Sequence, residues 1–318
     1  MRIALLGGGL DMLSLPLALG KWCQNVHCYL APRHSQEEFD GVPLGDLLSN
    51  SGIRNFVVKS ESELKLKIKN QNYDLVLGIG PAWIISEATL LLAKTWVNIN
   101  AIPIPKYMGG AHSSWQLLNG DFAGAITFQE FSHPVDKGRI LAMFRFTYLP
   151  EHSTPEFRIK ENSRQLLLIL GEAMTAIISS SVGMKEELNL GESEYWPRLN
   201  TEIHGWIDWQ WSGLEIVSFI QAFGRPYPGA HSELLGETVY FEGAATLEPR
   251  KLHPFSAGII IKSHSNGGVD IATKDGILRV RIKLAKNMAS NYLEGLRFHS
   301  PIEKLESARI TNLRSKDM

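Results

Sequence analysis

The chain has 318 residues, 44% of them hydrophobic and 20% charged, and a formal net charge of −1. That length suits two domains, and that composition suits a folded globular protein. The balance of charge excludes a strongly basic protein built to hold nucleic acid, and no stretch approaches the roughly 20 apolar residues that a membrane span needs.

In chain order, the apolar run Arg2–Leu6 ends in Gly7-Gly8-Gly9 and predicts a buried strand turning into a helix over Met12–Trp22. The run is too short for a signal peptide, so a cytoplasmic location is expected. The glycine turn lacks the third glycine of a dinucleotide fingerprint, because Met12 stands there. NAD is therefore not expected. Val26–Leu30 is a second strand, Leu44–Ser49 a helix and Asn55–Val58 a third strand. Ser60 and Glu63 have the spacing of a capping box for a helix over Ser60–Lys69. Leu75–Ile79 is a further strand, Ala88–Lys94 a helix and Trp96–Ile99 the next strand. Cys23 and Cys28 have no accompanying ligand pair at metal spacing, so free thiols are expected and no metal.

Strands alternating with helices predict an α/β fold, a doubly wound and mostly parallel sheet with both faces covered. Ligands of such sheets bind beyond the carboxyl ends of the strands. That places Gly80-Pro81-Ala82-Trp83 and Asn98–Asn100 at one rim.

Arg164–Ser180 reads as a long amphipathic helix whose apolar stripe packs a core. The apolar period lapses from Lys185 to Asn200. The expected division is therefore a first domain over 1–185, a linker over 186–204 and a second domain over 205–318. A helix over Gly213–Phe223 and short strands at Thr238–Glu242, Gly258–Lys262, Val269–Ala272 and Ile277–Ile282 read as a small β-barrel. Trp206, Trp209 and Trp211 are best explained by packing at the domain junction, and the polar tail from Glu306 is expected to fray.

One segment carries chemistry. Asn98-Ile99-Asn100, Pro105-Lys106-Tyr107, Gly109, Trp115, Asn119-Gly120, Gly124, Thr127 and Asp136-Lys137-Gly138 recur in one order and spacing. That pattern resembles the active-site signature of the formyltetrahydrofolate-dependent formyltransferases: Asn-x-His, a Leu-Leu-Pro-x-x-Arg-Gly-like run, then Asp-x-Gly. Trp196-Pro197-Arg198, Ile207-Asp208-Trp209 and Pro226–Ala230 resemble the lead-in and the oligonucleotide/oligosaccharide-binding-like barrel that end such chains. The resemblance covers nearly the whole chain. It is closest to the sugar-nucleotide N-formyltransferases of the aminoarabinose type and to methionyl-tRNA formyltransferase.

The resemblance implies 10-formyltetrahydrofolate as formyl donor and an amine as acceptor. In the family the asparagine donates to the oxyanion, the histidine stabilises it and helps move the proton, and the aspartate orients the histidine. By position these roles fall to Asn98 and Asp136, while Asn100 holds the histidine position and Met108 that of the arginine. A carboxamide donates hydrogen bonds but carries no proton near neutral pH. His112 and His133 are the candidate substitutes for the proton carrier. The donor pocket is expected from Gly80, Pro81, Ala82 and Trp83, together with Pro134 and Val135 on the loop before Asp136.

The family's tRNA enzyme is expected to carry a basic loop after the second strand. Here Ala31–Gly45 has one arginine against Glu37, Glu38 and Asp40, which argues for an amino-sugar acceptor over tRNA. A formyltransferase-like protein that binds its ligands without turnover is the third reading. The resemblance leaves a homodimer open.

Overall fold

The protein is described from a computed structural model, which describes residues 1–133, 137–151, 153–179, 193–284 and 293–313. The first strand, β1 (Ile3–Gly7), is followed by α1 (Asp11–Ala18), β2 (Val26–Leu30), α2 (Pro32–Ser35), β3 (Glu38–Phe39), β4 (Val42–Pro43), α3 (Leu44–Asn50) and β5 (Asn55–Val57). Next come α4 (Glu61–Ile68), β6 (Tyr73–Ile79), α5 (Glu87–Leu90), β7 (Ala93–Asn100), β8 (Met108–Gly109), α6 (His112–Leu118), β9 (Ala123–Glu130), β10 (Ile140–Thr147) and α7 (Pro155–Ser179).

Seven of these strands form one sheet in the order β10-β9-β7-β6-β1-β2-β5. The five from β7 to β5 are parallel, while β9 and β10 are antiparallel additions at the other edge. Alternate residues of β1 serve two cores. Ile3 and Leu5 join Leu77, Val97, Leu166, Leu170 and Met174 on one face, and Ala4 and Leu6 join Tyr29, Leu64, Val76 and Trp96 on the other. A strand buried on both sides has no polar face to show, which is why β1 and β6 read as continuous apolar runs.

The expected cap holds: Ser60 Oγ accepts the Glu63 N–H at 3.2 Å, and the Glu63 carboxylate accepts the Lys59 N–H at 2.8 Å. Three expectations shift. The helix over Ala88–Lys94 is only the single turn α5, because pairing of Ala93 with Tyr73 and of Thr95 with Leu75 starts β7 earlier. The long helix begins at Pro155, since proline suits a first helical turn and its polar start hid the period. Strands β9 and β10 were not expected at all.

The second part of the chain holds β11 (Tyr195–Trp196), α8 (Thr201–His204), α9 (Gly213–Ala222), β12 (His231–Leu234), β13 (Glu237–Pro249), β14 (Ile260–Ser263), β15 (Gly268–Ala272), β16 (Gly276–Lys283) and α10 (Ile302–Ile310). Its antiparallel sheet runs β12-β13-β16-β15-β14 and curls round α9, giving the expected small barrel. A full capping box of Ser212 and Glu215 starts α9. Trp209 stacks on Phe298 and donates to Ser232 Oγ at 3.0 Å, Trp206 packs on His231, and Trp211 meets Phe219. These indoles are packing residues. Cys23 and Cys28 are buried free thiols, as expected. The expected fraying at Glu306 is overtaken by α10, and residues 314–318 lie outside the described residues, as does 180–192, where the first domain was expected to end.

Residues 193–198, read as linker, pair with the signature segment. Strand β11 lies parallel to β8, with Tyr195 opposite Met108 and Trp196 opposite Gly109. The indole of Trp196 stacks on Tyr107, and Trp115 Nε1 donates to the Pro197 carbonyl at 2.8 Å. This contact accounts for Gly109. Its φ is +102°, and a Cβ there would stand 2.3 Å from the Trp196 carbonyl oxygen. Gly109→Ala is therefore expected to cost about 1–3 kcal/mol through strain and displacement of β11. Chemical unfolding checks this; an unchanged denaturant midpoint would show that the contact yields without cost.

Candidate functional site

The candidate site is built at the carboxyl rim, where β6 and β7 end. With a strand period of two, Trp96, Asn98 and Asn100 share one face. Trp96 lies in the core, and the two asparagines sit half-buried above it. Asn98 Nδ2 donates to Asn100 Oδ1 at 3.0 Å, and Asn100 Nδ2 donates to Gln129 Oε1 at 3.4 Å. Gln129 comes from β9, directly opposite Asn98, and is 1% exposed. Its Nε2 donates to the Gly138 carbonyl at 2.9 Å.

Gly138 is the glycine of the Asp-x-Gly element. It passes so close to β9 that a Cβ would lie 1.9 Å from the Glu130 carbonyl oxygen. The Asn98 Oδ1 atom is buried, lies on the Gly78 side of its carboxamide and has no hydrogen-bond partner among the described residues.

Gln129 is the member of this group that sequence reading missed. A signal existed: Gln129 directly follows the largely apolar run Ala125–Phe128, and a polar residue carried into the sheet there must find partners when buried.

Of the other expected residues, Gly80 is exposed with φ +57°, and Pro81, Ala82 and Trp83 are half-buried. Trp83 and Phe131 pack against the core beneath the asparagines, and Phe131 meets Trp96 edge-to-face with centroids 5.8 Å apart. Pro134, Val135 and Asp136 lie outside the described residues. His133 is exposed.

His112 is half-buried and begins α6, whose Ser114 is tied to the Ala222 carbonyl of α9 at 2.7 Å. Burial, with the charge of Arg158, pushes the imidazole down to about 4, so it is neutral at pH 7. The amide chain described above includes neither histidine.

The glycine turn after β1 borders the same rim. The Gly8 N–H donates to the Ile79 carbonyl at 3.3 Å, and the Gly9 N–H to Glu37 at 2.7 Å. This ties the loop after β2 down onto the turn. His34 is buried beside it, with burial lowering its pKa and Nδ1 unpartnered among the described residues. Asp11 is half-buried on α1, with its pKa raised by desolvation.

The chain Asn98–Asn100–Gln129 offers N–H donors to a developing negative oxygen in a partly water-excluded place. It holds no titratable proton. Among the described residues no group of three His, Cys, Asp or Glu is placed to hold a metal, and no helix is long and apolar enough to cross a membrane.

Residues 201–297 match the family model described as formyl transferase, C-terminal domain. The methionyl-tRNA formyltransferase of Borrelia hermsii is 27% identical over 214 residues, 66% of this chain and 67% of that protein. The bifunctional polymyxin resistance protein ArnA of Wigglesworthia glossinidia brevipalpis is 25% identical over 167 residues, 52% of this chain and a quarter (25%) of its own length. An N-formyltransferase from Helicobacter canadensis, solved with folinic acid and dTDP-3-aminofucose, superposes with a TM-score of 0.64 at 16% identity, over 89% of this chain and all of its own (100%). In its sequence and in its matched C-terminal domain the chain is similar to formyltransferases, and its two-part fold is that of the N-formyltransferase just named.

Proposed function

We propose that this chain transfers a formyl group from 10-formyltetrahydrofolate to the amine of an amino sugar, with carboxamides rather than a proton relay at its centre.

 The acceptor is taken to be nucleotide-linked. The observation that carries this reading is the Asn98–Asn100 pair at the carboxyl rim, hydrogen-bonded through Gln129 to the glycine of the Asp-x-Gly element and flanked by Gly80–Trp83. The donor supplies a formyl carbon open to attack by an amine. The residues present suit such a group: amino hydrogens on Asn98 and Asn100 for a carbonyl oxygen, and a buried acceptor, Asn98 Oδ1, without a protein partner among the described residues.

The work left to the chain is to orient the formyl oxygen and stabilise the charge that develops on it. Positioned donors of this kind contribute about 10²–10³ in rate each. With Asn100 where the family has histidine, the amide chain moves no proton, and His112, neutral down to about pH 4, is a weak base. The acceptor amine therefore arrives unprotonated, and turnover follows the deprotonated fraction of that amine. Asp136 is assigned to the site by its place in the sequence pattern alone.

Support for a sugar acceptor over tRNA comes from the loop between β2 and α3. Arg33 is outnumbered there by Glu37, Glu38 and Asp40, and Glu37 is held on the β1 turn, so the loop is not basic and suits a phosphate backbone poorly. Methionyl-tRNA as acceptor is the second reading, favoured by the sequence relatives named for that activity.

The test incubates the protein with 10-formyltetrahydrofolate and, separately, nucleotide-linked amino sugars and methionyl-tRNA, following tetrahydrofolate release. Release that depends on an amino sugar, is lost in Asp136→Ala, and rises with pH up to the pKa of the amine is the expected result. Release with methionyl-tRNA alone would replace the acceptor. Folate binding with no release under any acceptor would make the protein a binding member of the family.

A further inference from the structure

We infer that Gln129 is a positioning residue that fixes which end of the Asn98 and Asn100 carboxamides faces the reacting group. The inference rests on the formyl-transfer reading for its effect on rate, and on geometry alone for the positioning itself.

A carboxamide has nearly the same shape either way round, with an acceptor oxygen and a donor amino group exchanged. Something must choose between the two. A backbone carbonyl can only accept, and the Gly138 carbonyl stands 2.9 Å from Gln129 Nε2. The amino end of Gln129 is thereby committed, and its Oε1 is left toward Asn100, 3.4 Å from Nδ2. Asn100 then turns its Oδ1 to Asn98, 3.0 Å from Nδ2. Reversing one member would set oxygen against oxygen or amino group against amino group. Reversing all three would set Gln129 Oε1 against the Gly138 carbonyl.

The anchor is rigid for a reason already given. Gly138 lies against the β9 backbone, and the next residue, Arg139, accepts the Glu130 N–H at 2.9 Å. Gln129 itself is buried on β9, which is paired on one side with β7 and on the other with β10, and cannot reorient toward water. The consequence is a chain of amides with one direction. Each asparagine keeps a second amino hydrogen for a carbonyl or oxyanion, and Asn98 Oδ1 is left as the terminal acceptor. The residue that sets this direction does not touch the reacting atoms.

Gln129→Leu removes the contacts to Asn100 and to the Gly138 carbonyl, and Gln129→Glu keeps the shape while replacing the amino end with an oxygen that the Gly138 carbonyl repels. Both are expected to lower kcat by about 10-fold or more, with KM for the amine and the affinity for 5-formyltetrahydrofolate changed less than about 2-fold, as for an interaction made in the transition state. In an Asn100→Ala background, Gln129→Leu is expected to add little, because the path through Asn100 is already cut. A purely structural role would lower kcat, folate affinity and thermal midpoint together, and additively with Asn100→Ala, and would overturn the inference.

The second measurement needs no turnover. In protein labelled with ¹⁵N-asparagine, the side-chain amide signals of Asn98 and Asn100 are expected to shift and exchange faster in Gln129→Glu. Unmoved signals overturn the positioning role whatever the activity. Shifted signals in a wild-type protein that transfers no formyl group uphold the positioning and overturn the activity reading instead.

Discussion

Asn98→Ala is expected to lower kcat for formyl transfer by about 10²–10³, the value of one donor aimed at a developing oxyanion. The substitution removes an N–H from the charge and also leaves Asn100 Oδ1 without the donor now 3.0 Å away. Binding of the folate should change far less, since Gly80–Trp83 and the core beneath them are untouched. Asn98→Asp is the sharper version. It keeps the shape but presents acceptors only, so it sets an oxygen against Asn100 Oδ1 with no hydrogen between them and repels the charge it should stabilise. Its kcat should be as low as that of Asn98→Ala or lower. Steady-state kinetics of the two variants check this, and wild-type turnover in Asn98→Asp would remove Asn98 from the mechanism.

The stability of the fold is expected to fall as pH drops from about 6.5 toward 4, with His112 a main contributor. Its pKa in the folded chain is about 4, against 6.5 ordinarily, because burial and Arg158 disfavour the imidazolium. Between those values the unfolded chain binds a proton that the folded chain refuses, so lowering the pH favours unfolding. At 1.36 kcal/mol per unit, and reduced for a half-buried ring, the loss is about 2–3 kcal/mol. His34 and His231 are shifted the same way by burial and add to the slope, whereas Asp11, with a raised pKa, acts with the opposite sign. Denaturant unfolding of the wild type and of His112→Asn between pH 7 and 4.5 is the check. The variant should lose part of the acid sensitivity, and an identical slope would show that His112 is solvated in the folded protein.

Much of the architecture was legible because burial on both faces writes itself as apolar runs. Ile3–Gly7 and Tyr73–Ile79 could be read that way, and Ser60 with Glu63 marked a helix start through local hydrogen bonds. Strands β9 and β10 were not legible, since an antiparallel edge is decided by which neighbour it finds. The same holds for β11: a two-residue strand has no period, and only its contact with Met108-Gly109 makes it one.

The candidate site divides along the same line. The sequence by itself determined which residues stand at positions 98, 100 and 138 and how far apart they lie, and that position 100 is an asparagine, because residue identity and spacing are covalent facts. Only the tertiary structure decided what those residues face. Gln129 joins them because β9 runs antiparallel beside β7, and the Gly138 carbonyl gives the amide chain its direction because the backbone there passes too close for any side chain. His112 stands instead near the charge of Arg158, at the start of a helix whose Ser114 is tied to α9, since the packing of α6, and no feature of the local sequence, sets its surroundings.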